Sequence, residues 1–279
     1  MRTFGIIGYP LSHSHSPALF TEKFRREHIS GCEYYPYPLK HLSDLPGLFR
    51  DYPTLEGLNV TIPYKVSVMA LLDELDDTAQ EVGAVNTIKI FHNISSRPGV
   101  TALPGQRLRT FFPGRRTYFL KGFNTDIYGF EKSIKPLLTK NHRTALILGT
   151  GGAGRAVAYV FRNMRIKYLF VTRELTLHKI NLFKHIIEYK NITKKIMRQY
   201  HVIVNATPMG MFPSVNDMPP IPYHLVTDKH ILFDLIYNPA ETNFLHNGKK
   251  HGAVIKNGLE MLTHQLERTW EIWNEDNKM

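Results

Sequence analysis

"TALILGTGGAGRAVAYVFRNM", residues 144–164, decides the fold of this chain. A short apolar strand runs directly into Gly149, Gly151 and Gly154, spaced as G-x-G-x-x-G, and the chain then continues as an amphipathic helix. In that order each glycine has a physical task. Gly149 permits a tight turn out of the strand, Gly151 lets a pyrophosphate approach the backbone, and Gly154 lets helix and strand pack closely. Residues Gly149, Thr150, Gly151, Gly152, Ala153 and Gly154 therefore form a candidate phosphate cradle at the positive end of a helix dipole. A glycine-rich turn without a ligand is the plain alternative, and the strand, motif, helix order argues against it.

Working outward, short apolar strands alternate with helix-length amphipathic stretches. "TFGIIG" precedes a helix near 16 to 28, "GLNVTI" precedes one near 64 to 74, and further strands are expected at about 144 to 149, 168 to 173, 201 to 205 and 230 to 235. This rhythm predicts an α/β fold with parallel sheets. Two domains are expected: residues 1–124 as an α/β substrate-binding and catalytic domain, and 125–257 as a Rossmann-like dinucleotide domain. From Gly258 onward, Leu259, Leu262, Leu266, Trp270 and Trp273 recur at three- and four-residue spacings, so 258–279 reads as an amphipathic helix that returns to complete the first domain.

The second strand of the nucleotide block, "YLFVTR", ends at Thr172 and Arg173. An acidic residue there would bond the ribose hydroxyls of NAD, whereas a guanidinium suits a 2'-phosphate, which predicts NADP. Glu174 argues the opposite way, because a carboxylate in the same pocket repels that phosphate.

Composition narrows the class. The net charge of +11 invites a polyanion partner, but six of the positive charges (Arg97, Arg107, Arg109, Arg115, Arg116 and Lys121) sit in one acid-free segment, 92 to 121, rich in Pro and Gly. That segment reads as an inserted loop or irregular hairpin, either an exposed variable loop or a contact for an anionic partner or second subunit. No nucleic acid partner is expected. The single cysteine, Cys32, has no intrachain partner, and no apolar run is long enough to span a bilayer, so a cytoplasmic protein, monomer or homodimer, is expected. His13 and His15 lack a third ligand nearby, and no metal is predicted.

Three polar clusters lie at the ends of apolar runs: "SHSHSP" at 12–17, "NVTIPYK" at 59–65, and "GAVNT" at 83–87 with "GFNTD" at 122–126. In an open α/β sheet, residues just past strand ends line the ligand crevice. Their hydroxyls, carboxamides, one ammonium and one carboxylate suit a small polyhydroxylated acid. Ser16 and Pro17 also fit a helix entry, with Ser16 as its cap. Taken singly, Lys65 reads as a solvated lysine and Asp126 as a helix cap. Taken together they suit an alcohol dehydrogenation, in which a proton must move at the carbinol oxygen as a hydride moves at its carbon.

The set "HSHSP", "NVTIPYK", "GAVNT", "GFNTD", "GTGGAG", "NATPMGM", "DLIYNP" and "NGLEMLTHQ", in this order over nearly the whole chain, resembles the shikimate dehydrogenase family. The resemblance implies reduction of 3-dehydroshikimate to shikimate with NADPH, a step towards the aromatic amino acids. It implies that Ser14 and Ser16 bond the substrate carboxylate, that Asn59, Thr61, Asn86 and Gln265 bond its hydroxyls or carbonyl, that Tyr237 lies near it, and that Lys65 and Asp126 are the catalytic pair. It places Thr207, Met209 and Gly258 with the cofactor. Two features differ from the family pattern: the basic insertion is longer than the usual turn, and Thr172 stands where an asparagine usually precedes the arginine. A quinate or quinate/shikimate dehydrogenase using NAD shares most of these residues. Methylenetetrahydrofolate dehydrogenase leaves "SHSHSP" and "GFNTD" unexplained, and a non-catalytic dinucleotide sensor leaves Lys65 and Asp126 without a task.

Overall fold

The computed structural model describes residues 1–12, 14–92 and 118–275. His13 and most of the basic segment fall outside the described residues. The chain divides into two compact units, Met1–Thr125 with Leu266–Met279, and Asp126–Gln265.

The first unit is built on a six-stranded sheet in the order β2-β1-β3-β5-β6-β4. Its strands are β1 (Arg2–Gly8), β2 (Cys32–Pro38), β3 (Leu55–Val60), β4 (Glu74–Leu75), β5 (Thr87–His92) and β6 (Tyr118–Phe123), with helices α1 (Ser16–Arg26), α2 (Leu45–Asp51) and α3 (Asp77–Val82). The sheet is not all parallel, as the alternation suggested: β1 pairs parallel with β2 and β3, but β5 runs antiparallel to both β3 and β6. Two further expectations are corrected here. Residues 118–121, assigned to the insertion, are strand, and the helix expected over 64 to 74 is only a short 3-10 segment, Ser67–Leu71. Ser67-Val68 and the β-branched Val66 favour extended or turn backbone over a full helix.

Period-two alternation decides the faces of this sheet. Leu58, Val60, Ile88 and Ile90 enter one buried cluster, together with Leu45 and Phe49 of α2. The opposite face carries Phe4, Ile6, Phe20 and Phe24 with Leu266 and Trp273. On that face Lys89 is buried and donates to the carbonyls of Ile272 (2.9 Å) and Glu275 (2.7 Å), satisfying the last carbonyls of a helix.

The second unit holds six parallel strands in the order β12-β11-β10-β7-β8-β9. They are β7 (Thr144–Leu148), β8 (Lys167–Thr172), β9 (Ile186–Glu188), β10 (Val202–Asn205), β11 (Ile231–Asp234) and β12 (Val254–Lys256), interleaved with α4 (Asp126–Ile134), α5 (Gly152–Asn163), α6 (Leu177–Leu182), α7 (Lys194–Gln199) and α8 (Asn243–Lys250). Ala145, Ile147, Val202 and Val204 pack one way with Phe130 of α4 and Val157 and Phe161 of α5. Leu146, Leu148, Ile203 and Leu232 pack the other way with Phe244 and Leu245 of α8. Burial on both faces is why these strands read as continuous apolar runs.

The last helix, α9 (Leu259–Asn274), contributes Leu259–Gln265 to the second unit and its remainder to the first. Met261 joins the Phe130 cluster, while Leu266 and Trp273 join the Phe4 cluster. Among the described residues no helix is long and apolar enough to cross a membrane.

Candidate active site

In the first unit, the three polar clusters come to one end of the sheet's strands because of strand direction. β3 ends at Val60 and β6 at Phe123, while β5, running the other way, begins at Thr87; the register pairs Asn59 with Thr87 and Thr87 with Phe123. Asn86 thus sits before a strand rather than past one, and the antiparallel reversal brings it to the same end as Thr61. Backbone hydrogen bonds fix this end: Val60 N–H donates to Asn86 (2.8 Å), Asn86 N–H to Phe123 (3.1 Å), and Val85 N–H to the Lys65 carbonyl (2.7 Å). Thr61 N–H donates to Ile7 (2.9 Å), tying the loop after β3 to β1. Lys65, Thr61, Ser14 and Ser16 are all half-buried.

The turn before α1 differs from expectation. Ser14 N–H donates to Leu11 (3.0 Å), and the helix starts at Ser16 with His15 at the cap position and no side-chain cap bond. Pro17 stands in the first turn, where its missing N–H costs nothing. Ser16 is therefore not the cap, and its hydroxyl is not committed to that task.

Asn86 is buried within a polar network that the sequence did not reveal. Its Oδ1 accepts from Thr125 N–H (2.7 Å), from Thr125 Oγ1 (3.2 Å) and from Thr87 Oγ1 (3.1 Å), and its Nδ2 donates to Thr125 Oγ1 (3.0 Å). Asn124 Nδ2 donates to the Ala84 carbonyl (2.8 Å). Thr87, Asn124 and Thr125 lie in the "GAVNT" and "GFNTD" clusters without a role assigned from sequence, and Thr269, on α9, is the member that sequence reading missed, because a lone threonine within an amphipathic helix carries no signal.

In the second unit, the glycine turn has the geometry its spacing implied. Gly149 adopts φ +106°, and a β-carbon there would meet the Ala206 carbonyl and Thr207. A β-carbon on Gly154 would strike the Gly149 carbonyl, whereas Gly151 faces open space. That opening lies at the N-terminus of α5, where Gly151 supplies no side-chain cap, so the first-turn N–H groups point outward unshielded. The arrangement fits a bound pyrophosphate.

At the end of β8, Thr172 is buried and Arg173 and Glu174 are exposed. Lys179, distant by sequence standards, folds back: its Nζ donates to Thr172 Oγ1 (2.9 Å) and to the Glu174 carbonyl (2.7 Å). Two cations thus flank this strand end, which offsets Glu174 and suits a 2'-phosphate.

The loop after β10 is set by a buried carboxylate. Thr207 N–H and Oγ1 donate to Asn205 Oδ1 (3.1 and 2.6 Å), and Asn205 Nδ2 donates to the Met209 carbonyl (3.2 Å) and to Asp234 Oδ1 (3.0 Å). Asp234 also accepts from Ile236 N–H (3.0 Å) and Thr242 Oγ1 (2.6 Å). Burial pushes the Asp234 carboxyl up to about 7, against these donated bonds. Tyr237 follows, half-buried, and Gly258 N–H donates to Ile236 (3.0 Å); a β-carbon on Gly258 would enter the Leu235 backbone. Asp126 opens α4 fully buried, placed favourably for the helix dipole. Gln265 is half-buried on α9, and its stem lies where a β-carbon on Gly129 would go. Among the described residues no cluster of three metal-binding side chains occurs.

Comparison with known proteins bears on this constellation. Residues 6–88 match the shikimate dehydrogenase substrate binding domain. The NADP(+) shikimate dehydrogenase of Methanosphaera stadtmanae is 31% identical over 96% of this chain and 90% of its own length, and that of Carboxydothermus hydrogenoformans is 36% identical with the same coverage. The structure of shikimate 5-dehydrogenase from Thermus thermophilus, in complex with NADP(H) and shikimate, superposes with a TM-score of 0.77 at 29% identity, covering 98% of this chain and 94% of that one. Polar groups gathered at one end of the strands, a glycine-turned helix N-terminus and near-complete relatives all agree, and the chain belongs to the shikimate dehydrogenase family.

Proposed function

We infer that this protein is an NADP-dependent shikimate dehydrogenase, an oxidoreductase that reversibly reduces 3-dehydroshikimate to shikimate in the route to the aromatic amino acids. The observation that carries this reading is the near-complete match to NADP(+) shikimate dehydrogenases in a chain that retains Lys65, Asp126 and the open glycine turn. When bound, NADP(H) supplies the hydride acceptor or donor. The backbone from Gly149 to Gly154 holds its pyrophosphate, Arg173 with Lys179 its 2'-phosphate, and Thr172, Thr207, Met209 and Gly258 shape its site.

The chain's own chemistry is proton transfer and orientation. In the oxidative direction Lys65 takes the proton from the carbinol oxygen as the carbon gives up its hydride; in the reductive direction it returns that proton to the carbonyl oxygen. Asp126 balances and orients the lysine. Ser14 and Ser16 bond the carboxylate of the substrate, Asn59, Thr61, Asn86 and Gln265 its hydroxyls or carbonyl, and Tyr237 lies near it. This division of roles rests on the residue-by-residue resemblance and on the polar chemistry of each group. Small-molecule partners suffice for it, in a cytoplasmic monomer or homodimer.

The test is NADPH formation from shikimate and NADP followed by absorbance. Lys65→Ala and Asp126→Asn are expected to lose turnover by about 10²–10⁴-fold, the range of a general acid–base contribution, while still binding NADP. Equal rates with NAD and NADP at equal concentration would sink the role of Arg173. Equal rates with quinate and shikimate would favour the quinate/shikimate alternative. Arg173→Ala is expected to raise the KM for NADP about tenfold or more, the scale of one charge-assisted phosphate contact.

A further inference from the structure

Asp234 is a buried carboxyl that proton transfer at Lys65 and Asp126 does not use. It ends β11, paired with Asn205 at the end of β10, and has no exposed surface. Three donors converge on it. Asn205 Oδ1 accepts from Thr207 N–H (3.1 Å), so the amide presents Nδ2 to Asp234 Oδ1 (3.0 Å). Thr242 Oγ1 accepts from Leu245 N–H as the cap of α8, leaving its own proton for Asp234 Oδ2 (2.6 Å). The Ile236 backbone N–H can only donate (3.0 Å). Three donors on two oxygens suit a carboxylate, and a carboxylic acid has to displace one of them to place its own proton.

Among the described residues no lysine, arginine or histidine is paired with this carboxylate. The titratable groups that face it are the phenol of Tyr223, which donates to the Pro219 carbonyl (2.8 Å), and next to that the phenol of Tyr189, with Arg173 beyond; burial holds both phenols protonated. Burial resists the ionised form of Asp234 while its three donors favour it, and the carboxyl titrates at about 7. Its charge therefore changes close to neutral pH.

Strand order relates this charge to the cofactor. In the order β12-β11-β10-β7-β8-β9, the 2'-phosphate end of the dinucleotide belongs to β8, on one side of β7. A dinucleotide bound across the reversal of strand order lays its other half over the ends of β10 and β11. Asp234 is tied to the loops on that side, through Asn205 to Thr207 and the Met209 carbonyl (3.2 Å), and through Ile236 to Gly258, whose N–H donates to the Ile236 carbonyl (3.0 Å). The half concerned is the nicotinamide, which is positively charged in NADP+ and neutral in NADPH.

We propose that the buried carboxylate of Asp234 is a counter-charge for the oxidised nicotinamide and makes the site prefer NADP+ over NADPH. Lying beneath the loops, it acts through its field rather than by contact. The same charge favours, on the enzyme, the reductive direction, in which NADPH becomes NADP+. The inference rests on the NADP-dependent reading.

The test is calorimetric titration of the full chain with NADP+ and with NADPH, from about pH 6 to about pH 8.5, read as the ratio of the two dissociation constants; titration of the 2'-phosphate, common to both, cancels in that ratio. The ratio is expected to move about three- to tenfold in favour of NADP+ as pH rises through about 7, the reach of one charge in an interior of effective dielectric about 20. Asp234→Asn, which keeps the shape, is expected to weaken NADP+ by a similar factor at the alkaline end, leave NADPH within about twofold, and flatten the ratio across the range. Thr242→Val withdraws a donor from the carboxylate, and the transition is expected to move to higher pH. A carboxyl that only braces the loops weakens both forms alike on substitution and leaves the wild-type ratio constant, and either result overturns the proposal. Should Asp234→Asn fail to fold, the wild-type ratio and the Thr242→Val transition decide, and a flat ratio or an unmoved transition overturns it. Failure of the wild type to bind either form removes the dinucleotide reading and this inference with it, whereas binding of both with a pH-independent ratio overturns this inference alone.

Discussion

Each unit of this protein carries a buried polar network, and the two are built from different chemistry. In the first, amides and hydroxyls of Asn59, Asn86, Thr87, Thr125 and Thr269, all neutral groups, hydrogen-bond to one another. In the second, Asn205, Ile236 and Thr242 all donate to the carboxylate of Asp234, a residue with no exposed surface. Neutral members exchange protein partners for water at modest net cost, and no proton count changes with pH. A buried carboxyl sets desolvation against its donors, so that pH enters the stability of the loop it holds.

The sharpest way to break this comparison is to delete the carboxylate. Asp234→Ala leaves three donors facing a cavity and is expected to destabilise the protein by about 3 kcal/mol, measured by urea denaturation. Close behind comes Gly154→Ala, whose added carbon meets the Gly149 carbonyl. It is expected to cost about 2 kcal/mol by overpacking. Because the glycine turn must shift, calorimetric affinity for NADP should also fall.

The pH dependence separates the networks. The folded Asp234 carboxyl titrates near 7, above its ordinary 3.8, with burial the main cause and Tyr223 facing the same carboxylate. Between those values the folded chain keeps a proton that the unfolded chain has released. Stability from this group is therefore fully present below about pH 4 and is lost as pH rises through about 7. Burial holds His142 and His230 below their ordinary 6.5, which gives the opposite slope, stability lost as pH falls below 6.5. The difference between wild type and Asp234→Asn isolates the carboxyl: the asparagine variant should gain relative stability from pH 5 to pH 8, and a constant difference would refute the assignment. The smallest effect belongs to the neutral network. Thr87→Val is expected to cost about 1 kcal/mol at every pH, read from the same denaturation curves.

The parts of this architecture that were legible in the sequence share one property: they are local. Gly149, Gly151 and Gly154 lie within six residues, and their turn, open face and tight packing follow from backbone sterics alone. The apolar runs that became β7, β8, β10 and β11 were placed within a residue or two because burial on both faces leaves no other pattern. Strand direction was not legible. β5 has the same alternation whether it runs parallel or antiparallel, and only its pairing with β3 and β6 shows that Asn86 reaches that end of the sheet from the opposite direction. Short elements such as β9, β12 and α7 lack a periodic signal long enough to read.

The sequence by itself determined the α/β class, the dinucleotide turn, and the residue types from which a dehydrogenase of a hydroxylated acid is assembled, because each is written in contiguous motifs. Tertiary structure alone decided how those motifs are held. Lys179 reaches back seven residues to Thr172, Asp234 gathers donors from three segments, and Thr269 meets Asn59 across a separation of 210 residues. Hydrogen-bond partners of buried polar groups are set by distances between elements, and a distance between elements exists only once the chain has packed.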